Sequence, residues 1–230
     1  MQKILRKEKT MMTPDFQTAA IKATETLIKY KVTTAPVAPL PILKSMPGVI
    51  VMSFATMSEE INQDRSCVLS MLGEKNQDAY TVVNIVEGKP QYLVAYNQLL
   101  SVNLFQRALA RELGHIVLGH DGTKPEAVRN DEAKCFAHHL ICPRPLIHSI
   151  EATGIRITTE LLGNVTGCYE YCLSCMRKQP AVTVPVELNR LVRDQFMPYV
   201  MNLFEYQRYA RRKDTSAIAD FGNYMDGYEE

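Results

Sequence analysis

The chain has 230 residues, of which 46% are apolar and 22% charged, with 26 lysines and arginines against 25 acidic residues. This length and apolar content predict one sizeable core with an appendage and exclude a disordered chain. The net charge of +1 argues against a general binder of nucleic acid or anionic membranes. No apolar run approaches the roughly 20 residues of a membrane span, and no apolar segment follows the basic N-terminus as in a secretory signal. We therefore expect a cytoplasmic protein.

The first 54 residues predict a helix, an irregular loop and a strand. Thr13, Pro14 and Asp15 are typical of a helix start, with Thr13 as the capping residue and Pro14 in the first turn. Apolar residues continue at helical spacing to about Tyr30. Four prolines between positions 33 and 47 exclude a long regular element, and residues 49–54 have the character of a strand.

A hairpin and then only helices follow. Residues 80–86 and 92–96 are β-branched and aromatic, and the Glu87-Gly88-Lys89-Pro90 segment between them indicates a turn. Helices are predicted over about 101–119 and 131–141, with shorter pieces at 145–153, 158–163 and 166–178. The order predicts an α+β fold that is mostly helical, with a small antiparallel sheet preceding the 101–119 helix.

The C-terminal part predicts one long helix over 185–212. Its apolar stripe favours packing against the chain's own core rather than against a partner's groove. The last 18 residues are polar, and we expect them to be loose. We therefore divide the chain into a flexible N-terminus (1–13), a domain (14–180) and a helical extension with a loose acidic end (181–230).

The six cysteines are interpreted as free thiols, because a cytoplasmic chain with its own core needs no disulfides. Cys168, Cys172 and Cys175 have a spacing that also holds iron–sulfur clusters. The same spacing places three small side chains on one helical face, and we favour that interpretation.

The segment that best indicates a chemical function is residues 111–120, which read R-E-L-G-H-I-V-L-G-H. In zinc peptidases an H-E-x-x-H helix places two imidazoles on one face, where both reach a tetrahedral ion. The glutamate after the first histidine takes a proton from the water bound to the metal. Here Glu112 and His115 occupy the glutamate and second-histidine positions, and Arg111 occupies the first ligand position.

This helix resembles that of the ImmA/IrrE-type metallopeptidases, which typically reads H-E-L-G-H-x-x-L-G-H. Residues 132–143, E-A-K-C-F-A-H-H-L-I-C-P, are similar to a second motif of that family, roughly E-A-N-x-F-A-x-x-L-L-M-P. The two motifs and the order of the predicted elements extend the resemblance over about residues 14–178. It implies a zincin-like fold.

The resemblance also implies a site and a role. By it, Glu112 is the general base, His115 the second zinc ligand and Glu132 the third. Members of the family are peptidases, often encoded near mobile elements, that are thought to inactivate a helix-turn-helix repressor. The expected partner is therefore such a repressor and the expected cofactor is zinc, both by analogy.

Two residues depart from the family pattern. Arg111 carries a permanent positive charge and has no lone pair, so it cannot bind Zn²⁺. Lys134 stands where the family usually has Asn or Asp, which adds a second cation. An arginine beside Glu112 and Glu132 can instead replace the charge of the metal by pairing with a carboxylate.

Three interpretations of Arg111 remain open. Substitute ligands are the first: His120 if the helix ends near Gly119, or the thiolate of Cys135, whereas His139 lies about 10 Å further along its helix and is too far. An inactive, metal-free relative is the second. The third is an Arg111 that swings out and leaves a weakened zinc site with two protein ligands.

The sequence therefore supports two main functions. The first is a zinc metallopeptidase-fold protein that regulates mobile-element genes by cleaving or docking a helix-turn-helix repressor. The alternative is a catalytically inactive pseudo-peptidase that acts as a regulatory protein-binding module. A DNA-binding role for residues 158–178, which faintly resemble a helix-turn-helix, is disfavoured because that segment offers Tyr169, Glu170 and Tyr171 rather than basic or amide side chains.

Overall fold

The computed structural model describes residues 12–64, 66–67, 78–167 and 182–213. The elements with described bounds are, in chain order, α1 (Phe16–Lys29), α2 (Pro39–Ser45), β1 (Val49–Ser53), α3 (Phe54–Glu60), β2 (Ala79–Val86), β3 (Lys89–Tyr96), α4 (Val102–Val117), α5 (Glu126–Ile141), α6 (Arg144–Ala152), α7 (Thr159–Thr166) and α8 (Val186–Lys213). This order confirms the predicted α+β class. The predictions for Cys168, Cys172 and Cys175 and for the polar end lie outside the described residues.

Helix α1 is capped by Asp15, so the prediction that Thr13 is the cap was wrong. The Asp15 carboxylate accepts a hydrogen bond from the backbone N–H of Thr18 at 2.9 Å. An aspartate satisfies an orphan N–H of the first turn as well as a threonine does, and Pro14 then precedes the helix. The helix buries an alanine-rich face, including Ala19, Ala20 and Ala23, against α5.

The sheet has the strand order β1-β3-β2 and is mixed, which corrects the predicted antiparallel sheet. Strands β2 and β3 form the predicted hairpin, turning at Glu87 and Gly88, which both have positive φ as a tight hairpin turn requires. Strand β1 pairs with β3 in parallel, with Val51 opposite Val94. The strand after α3 is β2, which runs opposite to β1, and the hairpin then reverses the chain, so β3 runs in the same direction as β1.

Helices α4 and α5 pack closely, and Gly114 is the residue that permits it. A Cβ atom at Gly114 would lie 3.0 Å from Cδ1 of Phe136 and 3.2 Å from the carbonyl oxygen of Ala133. Helix α5 begins at Glu126, five residues before the predicted start, because its first turns are polar and carry no apolar period. The close approach brings the last turns of α4 opposite the middle of α5.

The later helices differ from prediction at one point. Helix α7 continues through Gly163 to Thr166 and ends at Gly167, which has a φ of +65°. The predicted break at Gly163, which would have been the turn of a helix-turn-helix, was therefore wrong. A glycine is tolerated inside a helix at a modest cost and is favoured just past its end.

Helix α8 packs against α1 and α6, as predicted for an intramolecular cover. Its stripe includes the buried side chains Val192, Phe196, Tyr199, Val200 and Leu203, whereas Leu191 is exposed. Gln195 ties the helix to the end of α1 by donating to the carbonyl oxygens of Leu27 and Val32. Of the helices in the described ranges, none has the length and apolar character needed to cross a bilayer.

Candidate active-site cleft

The cleft lies between α4, β2 and the start of α5. It has a volume of about 300 Å³, and its walls include Thr81, Arg111, Glu112, His115, His120 and Arg129. Sequence analysis named four of these six. Thr81 carries no motif signal, and the hairpin places it over α4. Arg129 stands on the first turn of α5, which the sequence did not predict to be helical.

Glu112 is 4% exposed, and both of its oxygens have partners. Oε2 accepts a hydrogen bond from the hydroxyl of Thr81 at 2.8 Å. Oε1 accepts two bonds from Arg111, from Nε and Nη2, each at 3.2 Å. Burial raises the pKa of Glu112, although the Arg111 charge and the Thr81 hydroxyl oppose that shift. Arg111 thus pairs with a carboxylate as the sequence suggested, through one oxygen.

The turn after α4 positions His120. Leu118 is the C-cap and Gly119 follows with a φ of +65°. The N–H of His120 donates to the carbonyl of His115 at 3.0 Å, and that of Gly119 to Ile116 at 3.1 Å. This is the Schellman pattern, for which glycine is the favoured residue at the left-handed position. It folds His120 back onto His115, one turn earlier on the helix.

His115, His120 and Glu132 form a chain of hydrogen bonds. Nδ1 of His115 lies 2.8 Å from Nδ1 of His120, and Nε2 of His120 lies 2.9 Å from Oε2 of Glu132. The structure therefore brings together two residues expected at the site, His115 and Glu132. It also places His120, one of the proposed substitutes, between them.

Glu132 is 2% exposed and receives two further donors. The ammonium of Lys124 lies 2.9 Å from each of its oxygens, and the backbone N–H of Asp15 donates to Oε1 at 2.8 Å. Burial raises the pKa of Glu132, but the bonds from Lys124, Asp15 and His120 outweigh it and hold the pKa below its usual value. The carboxylate is therefore ionised at neutral pH.

Lys124, rather than Lys134, is the second cation of the site. Lys134, which the sequence interpretation added as a second cation nearby, pairs with Asp131 at 3.3 Å on an exposed face of α5. Lys124 lies in the loop between the two motif helices, and Nε of Arg129 donates to its carbonyl at 3.1 Å. Nothing in the spacing of a loop lysine predicts which carboxylate it will reach.

The hydrogen bonds fix the tautomers of both histidines. Ionised Glu132 can only accept, so Nε2 of His120 must carry a proton. Burial lowers the pKa of His120, and burial together with the charges of His120, Arg111 and Arg129 lowers the pKa of His115 to about 3. Both rings are then neutral, so Nδ1 of His120 accepts and Nδ1 of His115 donates. Nε2 of His115 keeps its lone pair.

Two other predicted candidates lie elsewhere. The thiol of Cys135 is buried and donates to the carbonyl of Phe16 on α1 at 3.6 Å, so the structure does not bring it to the cleft. A step of three residues from Glu132 turns the side chain by about 60° around the helix axis, toward α1. His139 is also remote from the cleft, as expected.

The donor set does not fit a catalytic zinc ion. Arg111 has no lone pair, and the two ring nitrogens of His120 already bond to different partners, so the groups form a line instead of converging. Ligand nitrogens around tetrahedral zinc stand about 3.3 Å apart, whereas those of His115 and His120 are 2.8 Å apart. Within the described residues, no group of three or more His, Cys, Asp or Glu side chains is arranged to hold a metal ion.

Comparison with known proteins gives one match. Residues 69–167 match the family model described as the IrrE N-terminal-like domain, a peptidase family. This segment contains the hairpin, both motif helices, α6 and α7. No curated protein and no solved structure is similar enough to be matched.

Proposed function

Residues 69–167 belong to the IrrE N-terminal-like family, and on that premise we propose that the chain is a pseudo-peptidase, which binds a polypeptide in its cleft without hydrolysing it. The protein has the fold of a metallopeptidase. The observation that carries the proposal is that each carboxylate at the site has its own cation, Arg111 on Glu112 and Lys124 on Glu132.

The pairing of Glu112 with Arg111 puts a cation where hydrolysis requires a metal. Arg111 donates to Oε1 of Glu112 through two nitrogens, and the hydroxyl of Thr81 donates to Oε2. Oε2 keeps a second acceptor position for a water, but hydrolysis also needs a metal to polarise that water. Without three ligands for a metal, the cleft keeps its shape and charge and lacks the means of activating water.

The edge of the sheet supports binding of an extended polypeptide. Among the described strands β2 has one neighbour, β3, and its outer side is an edge. Val82, Val83 and Ile85 on this strand are exposed. An exposed strand edge accepts an added strand, and the side chains of Thr81 and Val83 reach the cleft from the same strand.

The partner that we propose is a helix-turn-helix repressor of a mobile genetic element, docked by this protein in the cytoplasm. The family resemblance supports this choice by analogy, and the net charge of +1 gives no reason to prefer nucleic acid. Docking would regulate the repressor by sequestering it.

The test uses untagged protein and a helix-turn-helix repressor of a mobile genetic element. We expect a stable complex in which the repressor stays intact with added zinc, and equal binding by the wild type and Glu112→Gln. Cleavage by the wild type that Glu112→Gln abolishes would overturn the proposal in favour of a peptidase. Absence of any complex would overturn the proposal that such a repressor is the partner.

Metal content gives a second test. We expect well below one zinc per chain in the wild type, an increase in Arg111→His, and a further increase when Lys124→Ala is added, because each change removes one obstacle. A measured content of about one zinc per wild-type chain would overturn the proposal that the chain is a pseudo-peptidase. No gain in either variant would show that these two cations are not what prevents metal binding.

A further inference from the structure

A second cavity lies between the core and α8, away from the cleft. Its volume is about 420 Å³, and it is bounded by α1, the end of α5, the start of α6, residues 182–184 and the first turns of α8. A cavity of this volume is in the range that holds small organic molecules. His139, on its wall, lies seven residues beyond Glu132, or about 10 Å along α5.

The charged side chains among the described lining residues of this cavity are all basic. Arg144, Arg190 and Arg193 line it, together with His148, and no acidic side chain is among its described lining residues. Asp194 lies outside this lining, and its Oδ1 is 3.7 Å from Nε of Arg193 with both side chains exposed, which is a weak pair. Three guanidinium groups around one cavity repel each other and attract an anion.

The start of α6 adds to this potential. The helix has nine residues, its N-cap is Pro143, and no side chain caps it. The N-terminal end of a helix carries a partial positive charge. Here Pro145 has no N–H, and the N–H groups of Leu146 and Ile147 donate to the carbonyl of Pro143, so the helix dipole supplies this charge. Pro143 and Arg144 both line the cavity, so this end of the helix lies at its wall.

A buried polar group on the same wall has no partner. His139 is 5% exposed, and its Nε2 has no hydrogen bond to any described residue. Burial lowers the pKa of His139 to about 3, and the charges of His138 and Arg144 act in the same direction. A neutral ring nitrogen left unpaired in the interior costs free energy unless something fills the site.

Apolar side chains form part of the remaining wall, on a segment that is fixed in place. Val182 and Val184 line the cavity on the segment before α8. Gln17 holds that segment to α1 by two amide hydrogen bonds with the backbone of Thr183, and Asn189 donates to the carbonyl of Val184 at 3.1 Å. A preformed wall of this kind favours a ligand with an apolar part.

We propose that this cavity binds a small organic anion, a carboxylate or phosphate carried on a compact apolar body. Arg144, Arg190 and Arg193 bind the anionic group beside the start of α6, and the valines contact the apolar body. The site is independent of the polypeptide-binding function proposed for the cleft.

Calorimetry of the full chain tests the proposal with four probes: benzoate, phenyl phosphate, inorganic phosphate and the neutral benzamide. We expect saturable binding of benzoate or phenyl phosphate, at least about tenfold tighter than benzamide, a difference of about 1.4 kcal/mol. Inorganic phosphate should bind more weakly than phenyl phosphate, because it has no apolar body. Equal affinity for benzoate and benzamide, or no saturable binding of either aromatic anion, would overturn the proposal.

Matched variants localise the binding. Arg190→Gln/Arg193→Gln should weaken it by about tenfold or more, since both side chains are exposed on α8 and their removal leaves the core intact. Arg208→Gln is the control, because Arg208 is exposed on the same helix and does not line the cavity. Equal weakening in the control, or none in the double variant, would mean that the anion does not bind here.

Discussion

The ammonium nitrogen of Lys124 lies 2.9 Å from each carboxylate oxygen of Glu132. The lysine comes from the loop between α4 and α5, and the glutamate from the second turn of α5. In this arrangement a side chain supplies the positive charge that a metal would bring, and the buried carboxylate remains ionised. The pair should therefore contribute to the stability of the fold as well as to the charge of the site.

Lys124→Met should destabilise the protein by about 1–2 kcal/mol, because it leaves the carboxylate of Glu132 buried without its cation. Partial exposure of Lys124 limits the loss. Urea unfolding at pH 7 measures it. Lys134→Met is the matched control, since its pair with Asp131 is exposed and should be worth about 0–0.5 kcal/mol. Equal losses in the two variants would contradict the assignment.

The Glu132 carboxylate should also account for part of the stability that the protein loses at acidic pH. Its pKa is lowered in the folded protein, so its stabilising contribution is present above the unfolded value of about 4.3 and is lost as the pH falls through the folded value. Unfolding free energies between pH 7 and pH 3 should therefore fall less steeply for Glu132→Gln than for the wild type. A parallel decline in both proteins would rule out this role.

Glu112 should behave in the opposite way. Burial raises its pKa, so its ionised form is a cost to folding that disappears as the pH falls toward the unfolded value. Glu112→Gln keeps an oxygen for Arg111 and offers an amide to Thr81, so it should be more stable than the wild type at pH 8, by a margin that shrinks by pH 5. Glu151→Gln, at an exposed position of α6, controls for the loss of one charge. Destabilisation of Glu112→Gln at both pH values would contradict this expectation.

The hydrogen-bond chain predicts one tautomer for each histidine. Nitrogen-15 NMR at pH 7.5 should show the proton of His115 on Nδ1 and that of His120 on Nε2, because Glu132 can only accept. Glu132→Leu removes the acceptor and should release His120 to a mixture of tautomers. The reverse assignment in the wild type would mean that the chain does not run from Glu132 to His115.

Gly114→Ala should destabilise the protein by about 1–2 kcal/mol, although alanine favours helix, since the new methyl group would press on Phe136 and the backbone of Ala133. Phe136 is fully buried and has little room to move. Thermal unfolding measures the loss. Phe136→Leu in the same chain should cost less in the Gly114→Ala background than in the wild type, and strict additivity would argue against the contact.

Local patterns were sufficient for most of the elements. The hairpin was predicted from β-branched runs around Glu87-Gly88, and α4 from its apolar period, because both signals lie within a few neighbouring residues. The parallel pairing of β1 with β3 depends on which strand of the hairpin lies beside β1, and no local pattern encodes that. The start of α5 was not predicted, because its first turns are polar and show no apolar period.

The site residues that lie together on one helix could be predicted from the sequence. Glu112 and His115 follow from spacing on α4, and the role of His120 depended on where that helix ends, which Gly119 indicates. The contacts of Thr81 and Lys124 were not predictable, because each residue reaches the site from a segment distant in sequence or from a loop. The sequence interpretation named Lys134 as a nearby cation and did not consider Lys124, which the loop brings to Glu132.

The backbone amide of Asp15 bonds to Glu132 while the side chain of the same residue caps α1. The start of the first helix is therefore tied to the carboxylate that Lys124 and His120 also hold. A shortened variant that lost Asp15 would lose the cap of α1 and one donor to Glu132 in a single step.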